Sequence, residues 1–291
     1  MPVAKHSHRT YVPRTIPERK APRSRKRPHQ RTVGGKAVHN ILLLKIPERE
    51  FLVLKPFLDF KSFDHATCLE RERRPITAVY FLNSGIGSML FGTSDGRSIE
   101  VGAAGREGMI GLPLVVGLQQ FTYSILMQVP GDGFTVAAAT MKRLLPSLPE
   151  LRSLPMQRLG IRSLELAQNA ACNRLHNVKE RVARWLLVVH DRIESDTIRT
   201  THDFLSKMVG TDRATVTVAA AELERAGVIR QGRGSISIQD RRKLEAQSCD
   251  CYDLFRRLNP ELDSGRNDFC VVWNIRLTTP FFFNEHFRSY E

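Results

Sequence analysis

The chain has 291 residues, 42% of them apolar and 25% charged, with a formal net charge of +14. That length allows about two domains, and the composition is that of a globular protein rather than a disordered or collagen-like one. The longest apolar runs, such as residues 185–189, are far too short to cross a bilayer, and the basic N-terminus lacks the apolar stretch of a secretion signal, so the expectation is a cytoplasmic protein with no membrane partner.

Residues 1–36 hold eleven Lys/Arg against the single Glu18, so +10 of the charge sits there and +4 on the rest. With five prolines, two glycines and few large apolar side chains, this tail cannot bury enough surface to fold and reads as a basic disordered segment suited to phosphate contacts. From about 37 to 60 the pattern turns helical. Leu42, Leu43, Ile46, Phe51, Leu54 and Leu58 form one apolar stripe, and Pro47 opens a second helix. After Pro75 the period drops to two. "ITAVYFL", "GSMLFG", "SIEVGA" and "SILMQVPG" are short strands parted by glycine turns, and Asp95-Gly96 supplies a hairpin. They predict a small barrel or roll.

Around residue 141 the period changes again, and a long helix with early prolines runs to about 192. Ile161, Leu164, Gln168, Ala171 and Leu175 recur at coiled-coil spacing, which predicts a dimerisation seam with Gln168 as the polar residue that sets register. The cysteines are Cys68, Cys172, Cys249, Cys251 and Cys270, an odd number at irregular spacing and no disulfide framework. Cys249-Asp250-Cys251 offers two thiolates to a metal, but no second pair or nearby histidine completes four ligands in the sequence, so no metal and no cofactor is expected.

"TIRTTHDFLSKMVGTDRATV" has the layout of two helices meeting at a tight corner. Thr200 or Thr201 caps the first, with Asp203 in its first turn, and Phe204, Leu205, Met208 and Val209 form its apolar face. Gly210 ends it in a left-handed turn, and Asp212 caps the second helix. There Val216, Ala219, Ala220 and Leu223 face the core, leaving Arg213, Ala214, Thr217 and Val218 outside. A slim face with one arginine fits the DNA major groove, where guanidinium reads guanine and small apolar groups meet thymine methyls. "VIRQGRGSISI" then reads as a two-stranded wing with Arg233 at its tip. The candidate DNA-contacting residues are Thr201, His202, Asp212, Arg213, Ala214, Thr215, Thr217, Val218 and Arg233.

With "GREGMIGLP", "AACNRLHNVKERVARWLLVVHDRI" and "HDFLSKMVGTDRATVTVAAAELERAGVIRQGRGSISI" in this order, residues 39–257 resemble the Crp/Fnr family of bacterial transcription regulators. The resemblance implies an α+β protein with an N-terminal β-roll of the cyclic-nucleotide-binding, jelly-roll-like kind, a long dimerisation helix and a C-terminal winged helix-turn-helix. It implies double-stranded DNA, a second copy of the chain and RNA polymerase as partners, and a small-molecule effector of unknown identity. The expected divisions are a tail at 1–36, the roll at 37–150, the helix and connector at 151–193, the DNA-binding domain at 194–257 and a tail of unknown role at 258–291. In the family an arginine at the position of Arg213 reads a base, whereas two further base-reading positions hold Ala214 and Val218 here, so the operator does not carry over.

In cyclic-nucleotide-binding relatives a glutamate holds the ribose and a downstream arginine the phosphate. Arg106 and Glu107 are the effector-pocket candidates, but "LQQFTYSILMQV" contains no arginine, which argues against cyclic AMP. An N-terminal iron–sulfur cluster is excluded by ligand count, since only Cys68 precedes Cys172, and His39, His65 and Cys68 form no haem-ligand pattern. The competing reading is an enzyme or a structural, ligand-binding module built on the same architecture. Against an enzyme stand the missing nucleophile–base constellations and phosphate-binding loops.

Overall fold

The structure, a computed structural model, describes residues 31–193 and 195–262. It opens with a short hairpin, β1 (Thr32–Val33) and β2 (Lys36–Ala37), followed by α1 (Ile41–Lys45) and α2 (Glu48–Leu54). Residues 31–36, expected to be part of a disordered tail, are therefore folded. Val33 is buried, and the Arg31 guanidinium bonds the carbonyls of Leu43 and Ile46 and pairs with Glu48. Most of the tail, and the stretch from 263 onward, lies outside the described residues. The helical stripe of Leu42, Leu43, Ile46, Phe51, Leu54 and Leu58 is buried throughout, because its spacing turns these side chains to one side, while Leu44, Leu52, Val53 and Phe57 are exposed.

Two strands precede Pro75, where the sequence predicts helix or loop: β3 (Asp59–Phe63) and β4 (Cys68–Glu70). Both lie at sheet edges and carry few buried apolar residues, so their alternation is faint. β5 (Ala78–Leu82), β6 (Ile86–Gly92), β7 (Ser98–Ala104), β8 (Ser124–Val129) and β9 (Gly131–Ala137) complete two antiparallel sheets, ordered β3-β9-β5 and β4-β8-β6-β7. Phe51, Phe81, Ile125, Met127 and Phe134 fill the space they enclose. Gly96 takes φ +84° in the β6–β7 hairpin, as its turn requires.

α3 (Ala138–Leu144) leads into α4 (Pro149–Leu175), which starts before the predicted rod and carries Pro155 within its second turn. The rod is not continuous. His176 leaves the helix with extended backbone, and Asn177 and Glu180 cap α5 (Val178–Ile193) reciprocally, each side chain accepting from the other's backbone N–H. Then follow β10 (Thr197–Arg199), α6 (His202–Val209), α7 (Arg213–Arg225), β11 (Ile229–Gly232), β12 (Ser235–Ile238), α8 (Arg241–Ala246) and α9 (Cys251–Leu258). Trp185, Leu186, Leu205, Val216, Leu223, Ile236 and Phe255 form a second core. Leu262, past residue 257, belongs to it too, and Leu258 and Asn259 are also buried.

The predicted seam on α4 is not one face. Ile161 and Gln168 are buried inside the subunit, with Gln168 donating to the Cys251 carbonyl, while Leu164 and Leu175 are 56% and 74% exposed and Ala171 is exposed beside them. The exposed stripe is Gly160, Leu164, Ala167, Ala171 and Leu175, which keeps three of the predicted positions and replaces Ile161 and Gln168 by Gly160 and Ala167. Another expectation fails at the end of this helix. Cys172 and His176 are carried to Cys249 and Cys251, which the sequence had left without partners.

A buried cluster of charges ties the roll to the helices. Glu107, in the loop after β7, meets Arg192 of α5 at 3.0 Å and Arg158 of α4 at 3.6 Å. Arg158 and Arg162 both pair with Glu165, and Asn259 bonds both Arg158 and Glu165. Burial alone would raise the Glu107 carboxyl, but Arg192, Arg158 and Arg162 outweigh it and hold it at about 2. Gly105 is required here, because a Cβ would stand 2.9 Å from the Glu107 carboxylate and 3.3 Å from Arg192. Glu107 is therefore engaged by Arg192 and Arg158 in holding the fold.

Glu100 on β7 behaves oppositely. Burial dominates, Ser88, Arg192, Arg184 and Trp185 only partly offset it, and its carboxyl rises from 4.5 to about 7. A group raised in the folded state stabilises fully below its unfolded value, and that stability is lost as pH climbs through the folded one. Glu100→Gln should thus remove a decline in stability between about pH 4.5 and pH 7, read by urea unfolding across that range. Glu107, being lowered, contributes stability that is lost as pH falls from 4.5 towards 2. In the same assay at pH 7 Glu107→Ala should cost about 3 kcal/mol, since it strands buried arginines; a loss under ~0.5 kcal/mol would show the cluster to be dispensable.

Candidate nucleic-acid interface

The corner between α6 and α7 is built from local sequence. Thr201 caps α6, its Oγ1 accepting from the Phe204 N–H at 3.1 Å. Gly210 follows in the left-handed region, at φ +66° and ψ +49°, which turns the chain within three residues. Asp212 then caps α7. Its carboxylate takes the Thr215 N–H at 2.8 Å and the Thr215 hydroxyl at 2.6 Å, and those bonds lower its pKa. Val216, Ala219, Ala220 and Leu223 are buried as their spacing predicts.

What remains on the surface of α7 is narrow. Arg213, Ala214, Thr217 and Val218 are exposed, Val218 at 59%, and no acidic side chain lies on the first two turns. Thr217 hydrogen-bonds the Arg213 carbonyl at 2.9 Å. A chain of polar contacts fixes this face against the wing. His202 Nδ1 lies 2.9 Å from Thr217 Oγ1, and its Nε2 lies 2.7 Å from Gln231 Oε1. Gln231 in turn donates to Glu224 from both its backbone N–H and its side-chain amide, at 2.7 and 2.8 Å.

The wing is a three-stranded antiparallel sheet in the order β10-β12-β11. Gly232 pairs with Ser235, so Arg233 and Gly234 form its tip, with Arg233 exposed. Ile198, Ile229, Ile236 and Ile238 occupy the inner face. Arg199 and Arg230 lie on the outer face and are exposed, two cations that the sequence reading passed over. Strand alternation was the available signal, since each follows a buried isoleucine.

The predicted residues therefore come together in one region but do different things. Arg213, Ala214, Thr217, Val218 and Arg233 present free surface, whereas Thr201, Asp212 and Thr215 are engaged in caps and His202 in the link to the wing. Arg106 and Glu107 do not converge on a pocket. Arg106 instead lines a cleft of about 380 Å³ between the roll and the start of the wing, with His39, Arg192 and Arg199 on its walls.

Residues 180–247 match the Crp-like helix-turn-helix domain. No curated protein sequence matches the chain. Among solved structures it is similar to a Crp/Fnr-family transcriptional regulator from Eubacterium rectale, at 17% identity and TM-score 0.58, over 71% of this chain and 97% of that one. It is similar also to FixK2 from Bradyrhizobium japonicum, at 15% identity and TM-score 0.58, over 66% and 98%. A Crp/Fnr-family regulator from Thermus thermophilus matches at 22% identity and TM-score 0.52, over 65% and 98%. These likenesses establish the fold: a β-rich N-terminal domain, a long helix and a winged helix-turn-helix.

The corner itself is testable. A Cβ on Gly210 would sit 2.8 Å from Ile99 Cδ1 on β7, in addition to the left-handed strain. Gly210→Ala should destabilise the protein by about 1–2 kcal/mol in urea unfolding. No change would mean that the corner relaxes freely.

Proposed function

We propose that the chain is a Crp/Fnr-type transcription regulator that binds DNA through its Crp-like helix-turn-helix domain at 180–247 and acts as a homodimer on an inverted-repeat operator. The observation that carries this is the exposed face of α7, slim, free of acidic groups in its first turns and led by one arginine. Arg213 is the base reader, placed to give two hydrogen bonds to a guanine edge, while Ala214, the Thr217 methyl and Val218 meet thymine methyls. Arg233 contacts phosphate from the wing tip, and the N-terminus of α6 at Thr201–His202 offers backbone N–H groups to the same strand.

The exposed stripe on α4 supports the dimer. Gly160, Leu164, Ala167, Ala171 and Leu175 are small or apolar, and two well-exposed leucines on one helix face are best covered by the same face of a second copy. The effector in this reading is not cyclic AMP. Residues 118–129, which run into and through β8, carry no arginine for a cyclic phosphate, and Glu107 is spent on Arg192 and Arg158.

Arg213→Ala should lose about 1–3 kcal/mol of operator binding and relax preference at one guanine per half-site. Arg233→Ala should weaken all sequences alike, because phosphates carry no base information. Titration of both variants against the operator and its single-base changes decides this. Full discrimination by Arg213→Ala, with discrimination lost in Arg233→Ala, would remove α7 as the reader.

A further inference from the structure

We propose that Cys172, His176, Cys249 and Cys251 form a tetrahedral site for a single Zn²⁺ ion, clamping the end of α4 to the start of α9. Their ligand atoms all lie within 4.8 Å of one another. Cys172 Sγ and Cys249 Sγ are 3.6 Å apart, and Cys251 Sγ is 3.7 Å from His176 Nδ1. Zinc–sulfur bonds of about 2.3 Å and zinc–nitrogen bonds of about 2.0 Å, arranged tetrahedrally, require edges of roughly 3.5–3.8 Å between ligands. Two of the six edges, at 3.6 and 3.7 Å, fall in that range, and all six are within 4.8 Å, close enough for the side chains to gather round one ion.

The backbone builds the site from two directions. Cys172 is in the last turn of α4, and His176, four residues on, sits at its C-cap. Cys249 and Cys251 flank Asp250, the N-cap of α9. The three sulfurs are buried, so an ion held there would have no open position. Closure of that kind marks a structural site rather than a catalytic one.

The surroundings fit the same ion. His176 Nε2 lies 3.2 Å from Asp250 Oδ1, so a carboxylate holds the far ring nitrogen and leaves Nδ1 facing the sulfurs. Gln168 bonds the Cys251 carbonyl and fixes that end of the loop. Three thiolates and one neutral imidazole around Zn²⁺ leave a net charge of −1, and the Arg184 cation acts on all three cysteines. An iron–sulfur cluster does not suit this set, because the ligand atoms stand too close together to surround several irons with their bridging sulfides.

The test is metal content and cobalt spectroscopy on the full-length chain, purified under reducing conditions. Elemental analysis should find one zinc per chain. Cobalt(II) added after chelation should give the visible bands of a tetrahedral thiolate-ligated ion at one equivalent, and zinc should bleach them. Cys249→Ser should lose that spectrum. Because this variant risks misfolding, Asp250→Asn provides a second arm; it keeps all four ligands and should weaken cobalt affinity about tenfold. Wild-type protein with no zinc and no tetrahedral cobalt spectrum would overturn the proposal. So would unchanged cobalt binding in Cys249→Ser, or a Cys172–Cys249 disulfide in place of metal in the reduced preparation. None of these readouts uses DNA, so their failure leaves the DNA-binding reading standing.

Discussion

The structure hangs on a requirement that buried charges must find their partners. Glu107, Arg158, Arg162, Glu165 and Arg192 are all taken out of water, and each would cost several kcal/mol if left alone. Their pairing is therefore possible in only one relative placement of the loop after β7, α4 and α5, with Asn259 supplying the last bonds. An apolar contact of equal area would tolerate sliding by an ångström or two; a network of directed bonds does not. The roll, the long helix and the C-terminal domain are thus registered to one another through a polar knot, beside apolar contacts such as those of Ile41 and Ile86 with the second core.

On that frame the DNA-facing surface is assembled by short-range devices. Two side-chain caps and one left-handed glycine set the corner, and the chain from Thr217 through His202 and Gln231 to Glu224 holds α7 against the wing. The consequence is a division of labour among neighbouring polar residues. Those bonded into the corner carry its geometry, and those left outside it, Arg213 above all, are available to a ligand. A cleft walled by Arg106, Arg192 and Arg199 joins the roll to this domain, so the charged knot and the wing share a boundary.

Much of this was legible in the sequence, for reasons that separate by length scale. Caps, the Gly210 turn, the buried face of α7 and the wing hairpin are local features, and the residues themselves specify them. What depends on distant partners was not legible. The seam on α4 was misread at two of its five positions, because Ile161 and Gln168 look like interface residues until they are seen to be buried inside the subunit, Gln168 against the Cys251 carbonyl of α9. Glu107 looked like a ligand-binding glutamate until Arg192, 85 residues away, took it. The cysteine–histidine cluster joins positions 77 residues apart, which no spacing rule connects. Edge strands β3 and β4 escaped because their alternation is faint.

The central claim is that two copies of α7 read DNA with two-fold symmetry. Selection of bound fragments from a random double-stranded library, followed by sequencing, tests it most directly. The account predicts an enriched inverted repeat whose half-site centres lie about 34 Å, one helical turn, or a multiple of it apart, with a guanine at equivalent positions in each half. Enrichment of a single unrepeated half-site, or of no sequence at all, would contradict it.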